Sequence, residues 1–325
     1  MEKLLYKSAD WEVLVDVPGV PMDQITLDFS PIFNRKSSTQ IDESIDTTWT
    51  VALSNNHRLY DATKFRLADA RREGNSHTRP EGDSDKMCIH LSLGMTSYKE
   101  TFCTNHLTSS QHIADHGREY FSDPHACYGD ALGVGGVVVS ADGYVVLQKR
   151  AGWVAESQNC YDTPGGHCEP GDMLSKLKSE GREVVSNDDI FAVDHRDVVY
   201  ELYHSFVREV RDEVNIPEES LTWPLLLGVN RNKHYGNKPG LIFFTQCTLS
   251  RDEISTLYAQ GGAEADESTE IKFISSSDLT KASVDEFLSL TDNMAPLGRL
   301  ALLLYVYHYD ELPTEAAEKN KKSFT

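Results

Sequence analysis

Hydrophobic and polar residues alternate along residues 11–17 (WEVLVDV) and 25–30 (ITLDFS), the period of a strand with one buried face, with a Pro/Gly turn between them. From residue 41 to 53 the period changes. Ile41, Ile45, Trp49 and Leu53 recur at every fourth position, which predicts an amphipathic helix. Residues 64–73 (KFRLADARRE) and 87–94 (MCIHLSLG) read as two further strands around a polar loop at 74–85, and 109–121 (SSQHIADHGREYF) reads as a helix. The segment SDPHACYGD, 122–130, marks a boundary near residue 125.

Beyond it, GVGGVVVSADGYVVLQKR (133–150) is a strand, an Asp142-Gly143 turn and a second strand, the pattern of a hairpin. Gly133, Gly135 and Gly136 begin a strand instead of following one, so they do not make a dinucleotide-binding fingerprint. A glycine turn, PGGHCEPGD (164–172), and a long polar insert lead to a helix ending in REVRDEVNI (208–216). Strands at 224–232, 241–249 and 271–275 and a closing helix at 295–310 follow. Strands interspersed with a few helices, without an internal repeat, indicate a mixed α/β class.

The helix before residue 216 carries the chemistry. Val199, Tyr203, Phe206, Val210 and Val214 form an apolar stripe suited to packing on a sheet, and Asn215 tolerates the left-handed conformation that ends a helix. At the edge of that stripe, Glu209, Asp212 and Glu213 fall within about a third of the helix circumference. Like charges at this spacing repel by about 0.2–0.5 kcal/mol per pair. A solvated acidic face is the ordinary fate of such a cluster. Here, however, the glycine turn upstream adds Glu169 and Asp172. Hard oxygen ligands beside a glycine turn suit Mg²⁺, with Mn²⁺ as a substitute, and a cation would offset the repulsion.

Composition narrows the partners. A length of 325 residues is enough for about two domains. With 39% hydrophobic and 25% charged residues the chain has the make-up of a soluble protein, and its longest apolar run, 300–307, is far short of the roughly 20 residues that span a bilayer. The N-terminus has no signal-peptide core, so a cytoplasmic location is expected, a nuclear one being compatible. Six cysteines without a CxxC pair read as reduced thiols, and His167-Cys168 beside Cys160 lacks zinc-ligand spacing. A net charge of −20 argues against nucleic acid and equally against phosphorylated metabolites, unless a divalent cation and a local basic patch intervene. No pattern fixes the oligomeric state, and the tail EAAEKNKKSFT, 315–325, reads as a frayed terminus.

The order of hairpin, glycine turn and acidic helix resembles the Nudix hydrolases, whose signature is G-x5-E-x7-R-E-U-x-E-E-x-G-U, with U aliphatic. Gly166 is followed by five residues, HCEPG, and then Asp172, and REVRDEVNI places Arg208, Glu209, Val210, Asp212, Glu213 and Ile216 at the matching positions. The departures are Asp for Glu at 172 and 212, Asn215 for Gly, and a 28-residue insert at 173–200. The stretches LYDATKFRL, LSLGMTSYKETFCTNH, DALGVGG, TPGGHCEP, VRDEVNIPEESLTWPLLLGVNRN and GGAEADESTEIKFI together look like the eukaryotic UDP-glucose/UDP-galactose pyrophosphatase subfamily. The resemblance implies a Nudix α/β/α sandwich with a mixed sheet at 126–325, preceded by a smaller α+β N-terminal domain at 1–125 that contributes to nucleotide-sugar recognition. It also implies Mg²⁺-dependent hydrolysis of a UDP-sugar to UMP and sugar 1-phosphate.

On that resemblance Glu209 and Glu213 hold the metal beside Gly166, with Asp212 joining directly or through water. Glu267, on a late loop, is a catalytic or metal carboxylate, and Arg208 orients the glycine loop by pairing with Asp172 or Glu169. Gly165 allows close backbone approach, Arg150 is a candidate phosphate clamp, and Asp162 binds sugar hydroxyls or shapes the turn. Tyr60, Lys64, Arg66, Tyr98, Thr104, Asn105 and Arg231, with Asn232, are candidate contacts to base and sugar, each equally compatible with packing. Two other readings stay open. One is a substrate of the ADP-ribose type; the other is a catalytically weak nucleotide-sugar-binding module, suggested by the Asp substitutions and the insert.

Overall fold

The computed structural model describes residues 1–57, 59–73, 87–106, 111–154, 156–181 and 189–312; the polar loop at 74–85 and the tail at 315–325 lie outside the described residues. The first part of the chain forms α1 (Glu2–Tyr6), β1 (Trp11–Val20), β2 (Ile25–Phe29), α2 (Thr39–Asn55), β3 (Thr63–Glu73), β4 (Cys88–Ser97), α3 (Tyr98–Thr104) and α4 (Gln111–Phe121). The next elements are β5 (Gly133–Val139), β6 (Tyr144–Arg150), β7 (Tyr161–Asp162), β8 (Gly165–His167), α5 (Pro170–Ser179) and α6 (His195–Val214). Then come β9 (Leu225–Asn232), β10 (Lys238–Gln246), α7 (Arg251–Gln260), β11 (Ser268–Ser275), α8 (Ser276–Lys281), α9 (Val284–Leu290) and α10 (Pro296–His308). No described helix is long and apolar enough to cross a membrane.

Strand alternation lets one sheet serve two cores. In β10, Leu241 and Phe243 face the core that contains α6, whereas Ile242 and Phe244 face the core that contains α10. The predicted stripe of α6 is buried in full, and Phe206 stacks on Phe243 with ring centroids 5.5 Å apart. Phe244 stacks likewise on Tyr305 of α10. The result is an α/β sandwich in which an eight-stranded mixed sheet, ordered β1-β9-β10-β5-β6-β11 with β8 on β5 and β7 on β6, lies between helices. Only the β5–β10 pair in it is parallel among the described strands. A smaller sheet, β2-β4-β3, packs against the α6 side.

Two features differ from the sequence pattern. Pro18 and Gly19 do not turn the chain between paired strands; they lie inside β1, where the register shifts between Asp16 and Val20. Strand β1 then joins β9 while β2 joins the small sheet, so the large sheet draws on both sides of residue 125. The insert is not a loop throughout either. Its first residues belong to α5 and its last to α6, which starts at His195 and is thereby lengthened upstream of Arg208. Asn215 ends α6 with φ of 64°, the left-handed stop its residue type predicts.

A buried ionic node ties the small sheet to the large one. Asp130 is fully buried; its carboxylate takes a hydrogen bond from Arg231 at 3.2 Å and one from Asn105 Nδ2 at 2.8 Å, and lies 3.2 Å from His125 Nδ1 and 3.8 Å from Arg66. Burial alone would raise this carboxyl, but Arg231, His125 and Arg66 outweigh it and hold the group at about 2.

The node corrects several expected substrate contacts. Arg66 donates to the carbonyls of Tyr128, Phe33 and His125, so its fork is consumed inside the protein. Thr104 donates to the Glu100 carbonyl and accepts from Gly129 N–H, and Asn105 and Arg231 are committed to Asp130. Asn232 caps a turn by accepting from His234 N–H. These polar residues hold the two sheets together and do not face the site cavities described below.

Removing the central charge leaves Arg66 and Arg231 buried without their counter-ion. Asp130→Ala is therefore expected to cost about 3–5 kcal/mol in urea unfolding, and a loss below about 1 kcal/mol would show the node to be dispensable. Because the folded carboxyl sits below its ordinary 3.8, its contribution is full above that value and is lost as pH falls toward about 2. The Asp130→Ala penalty should shrink over the same window.

Candidate active site

Gly165 and Gly166, read from the sequence as a turn, form the start of the short strand β8 on β5, and β8 packs directly on the last turns of α6. Gly165 packs so closely on the Val134 carbonyl, and Gly166 on the Glu209 carboxylate, that a Cβ at either position would overlap them. Glu213, one turn further along α6, accepts a hydrogen bond from Gly165 N–H at 2.9 Å. The two carboxylates expected to hold a metal thus converge under the glycine bend. Burial pushes the Glu209 carboxyl up to about 8, with Glu264 and Glu267 adding to it and Lys64 opposing. Glu213 is fully buried, and burial followed by the charge of Glu209 raises it as well.

Asp212 does not join them. Its carboxylate is held in a two-point pair with Arg211, at 2.7 Å to Nε and 2.9 Å to Nη2. Instead, Asp212 contributes through its backbone. Its carbonyl accepts from Glu264 N–H at 2.9 Å, and Gly262 packs against it with no room for a side chain. That contact carries Glu264 and Glu267 to the rim of the site, where Glu267 lines two adjoining cavities. Glu264 is a member the sequence reading missed. The Gly261-Gly262 pair ahead of three acidic residues in GGAEADE was the signal that could have found it.

Arg208 pairs with Glu201, Ser205 and His204 on its own helix. Glu169 pairs with Lys64 from the small sheet, and Asp172 falls in the first turn of α5 with its side chain outside the described residues.

The smaller cavity, about 280 Å³, is lined by Tyr60, Lys64, Tyr98, Gly165, Gly166 and Glu209 among others. Tyr60 stands exposed at its edge, whereas Lys64 is buried. The larger cavity, about 1050 Å³, shares Tyr98, Gly165, Gly166, His167 and Glu267 with it and adds Arg150 and Asp162. Arg150 donates through Nε to the Glu156 carbonyl at 3.0 Å and keeps Nη1 3.9 Å from Asp162. Asp162 accepts from Thr163 N–H at 2.9 Å; burial raises its carboxyl to about 6, with Arg150 opposing. Among the described residues, no three His, Cys, Asp or Glu side chains form a ready-made metal cage. With Asp212 paired elsewhere, what remains is buried Glu213 and half-buried Glu209, with two more carboxylates at the rim.

No family model matches the chain. It is 32% identical over 287 residues to the uridine diphosphate glucose pyrophosphatase NUDT22 of Homo sapiens, covering 88% of each chain. It is 32% identical over 296 residues to the protein of that name from Mus musculus, covering 91% of this chain and 90% of that one. Nudix hydrolase 9 of Arabidopsis thaliana is 25% identical over 310 residues, which is 94% of this chain and 93% of the relative. With a divergent acidic helix under a glycine bend and relatives matching along nearly its whole length, this chain belongs to the Nudix hydrolase family.

Proposed function

We propose that this Nudix hydrolase cleaves the diphosphate of UDP-sugars such as UDP-glucose and UDP-galactose, releasing UMP and sugar 1-phosphate, with Mg²⁺ or Mn²⁺ held by Glu209 and Glu213. The names of the relatives support the substrate class. The observation that carries the reading is the convergence of Glu209 and Glu213 beneath Gly165-Gly166, where the two cavities meet.

The residues fit a divalent cation. Burial raises both carboxyls, with Glu264 and Glu267 adding to it at Glu209 and Glu209 adding to it at Glu213, a pair that a cation would favour in its charged form. Mg²⁺ characteristically uses one or two carboxylates and leaves its other positions to water and substrate phosphates, so the absence of Asp212 from the set is no obstacle. When bound, such a cation neutralises the diphosphate and lowers the pKa of an attacking water. The protein supplies the rest. The bare Gly165-Gly166 backbone admits the diphosphate, the Arg150 fork matches a phosphate, and Lys64 balances the acidic rim. Glu267, which lines both cavities, is assigned in this reading to accept a proton from water.

Turnover of UDP-glucose should require Mg²⁺ and give UMP. Release of AMP from ADP-ribose, with UDP-glucose left intact, would overturn the substrate class. Glu213→Gln should lower kcat at least on the order of a hundredfold with little change in Tm, because it removes a metal ligand and no core packing. Gly166→Ala drives a methyl group into the Glu209 carboxylate and should lower kcat/KM at least about tenfold. Wild-type kinetics in that variant would mean the bend does not set the position of Glu209.

A further inference from the structure

The larger cavity contains a second charged cluster for which the reaction at Glu209 and Glu213 has no use. Lys238, at the start of β10, and His106, just past α3, converge on Glu156 in the loop after β6. Lys238 Nζ pairs with Glu156 Oε1, and His106 Nε2 stands 2.9 Å from the same oxygen without the alignment of a hydrogen bond. The side chains are 5%, 11% and 16% exposed for Lys238, His106 and Glu156, enough to touch a ligand in the cavity and too little for free hydration. Glu156 is braced from behind, since Arg150 donates to its carbonyl and the Tyr235 hydroxyl accepts from Ser157 N–H at 3.0 Å. The rings of Tyr235 and Phe102 flank His106 at 5.6 and 5.9 Å.

An ammonium, a carboxylate and an imidazole with its proton on Nε2, the nitrogen facing Glu156, make an ordered set. An ammonium only donates, a carboxylate only accepts, and an imidazole N–H donates, so the cluster reads donor, acceptor, donor. The Watson–Crick edge of uracil is the inverse: O4 accepts, N3–H donates and O2 accepts. Cytosine reverses the first two positions, with an amine donor and a ring-nitrogen acceptor, and matches only at O2. A sugar hydroxyl both donates and accepts, so a hexose would not call for such an order.

Resting on the UDP-sugar reading above, we propose that Lys238, Glu156 and His106 read the imide edge of uracil and set the base specificity of this enzyme. The aromatic rings beside His106 offer the base a stacking wall. Asn230 lines the same cavity, and neither its Nδ2 nor its Oδ1 has a hydrogen-bond partner among the described residues, which leaves an amide for the same ligand. His167, Gly165 and Gly166 line both cavities, so the space beside the triad adjoins the space beside Glu209.

The test is a comparison of kcat/KM for UDP-glucose, its N3-methyl analogue and CDP-glucose, in wild type and Glu156→Gln, with UMP binding measured by calorimetry alongside. Wild type should prefer UDP-glucose to each of the other two by at least about tenfold, since each leaves a buried polar group unmatched. In Glu156→Gln the preference over the N3-methyl analogue should collapse to within about threefold. Equal use of UDP-glucose and the N3-methyl analogue by wild type overturns the proposal while leaving the hydrolase reading intact. So does a Glu156→Gln loss that is the same for both. If no UDP-sugar turns over and UMP does not bind, both readings fall. Should the variant not fold, the wild-type ratio alone decides.

Discussion

Direct contact between the Gly165-Gly166 backbone and the acidic turns of α6 is the constraint from which the site follows. A side chain at Gly165 would strike the β5 backbone, and one at Gly166 would meet the Glu209 carboxylate. The same closeness delivers the Gly165 N–H to Glu213 and holds Glu209 away from water. Burial then does what it does to any carboxyl: it disfavours the charged form until a cation arrives. Two acidic groups a turn apart on a helix would ordinarily be a minor liability. Here the close approach of the glycine backbone makes them a pair whose charged form burial disfavours.

The small sheet matters because it brings groups the large sheet lacks. Lys64 comes from β3, Tyr98 and Phe102 from α3, and His106 from just beyond it, and each lines one of the two cavities. Asp130 fixes this assembly through partners on both sides, Arg66 and Asn105 from the N-terminal elements and Arg231 from β9. The three cations and amides around it are what make burying that carboxylate tolerable. An uncompensated charge in such a place would be far more costly than any single contact in the cavities.

How much of this was legible in the chain follows from the range of the interactions involved. Local rules found the α6 stripe, its Asn215 stop and the hairpin at β5–β6, because each depends on neighbours within a few residues, but they read as a turn the glycines that pair with β5 as strand β8. Residue type without partner misled elsewhere. Arg66, Thr104, Asn105 and Arg231 have the polar chemistry of ligand contacts, yet their partners lie tens of residues away in sequence and satisfy them completely. Strand β1 could not be assigned to the large sheet for the same reason, since alternation names the buried face and not the strand that pairs with it. Arg211 adjoins Asp212 in sequence, but whether adjacent opposite charges pair or face different ways depends on the surrounding packing.

The features that pointed toward weak catalysis lose their force once placed. The insert enters through α5 and leaves by lengthening α6 at its far end, away from the turns that carry Glu209 and Glu213. The shortened Asp212 side chain is spent on Arg211, while its carbonyl anchors the loop that brings Glu264 and Glu267 to the rim. A longer side chain at 212 would have to displace that arginine to reach the other carboxylates. A cation satisfied by two carboxylates and substrate oxygens asks for nothing more from that position. The divergence of the acidic helix is therefore a redistribution of roles around an unchanged pair, and a weak binding module has no comparable need to bury two carboxylates against a bare glycine bend.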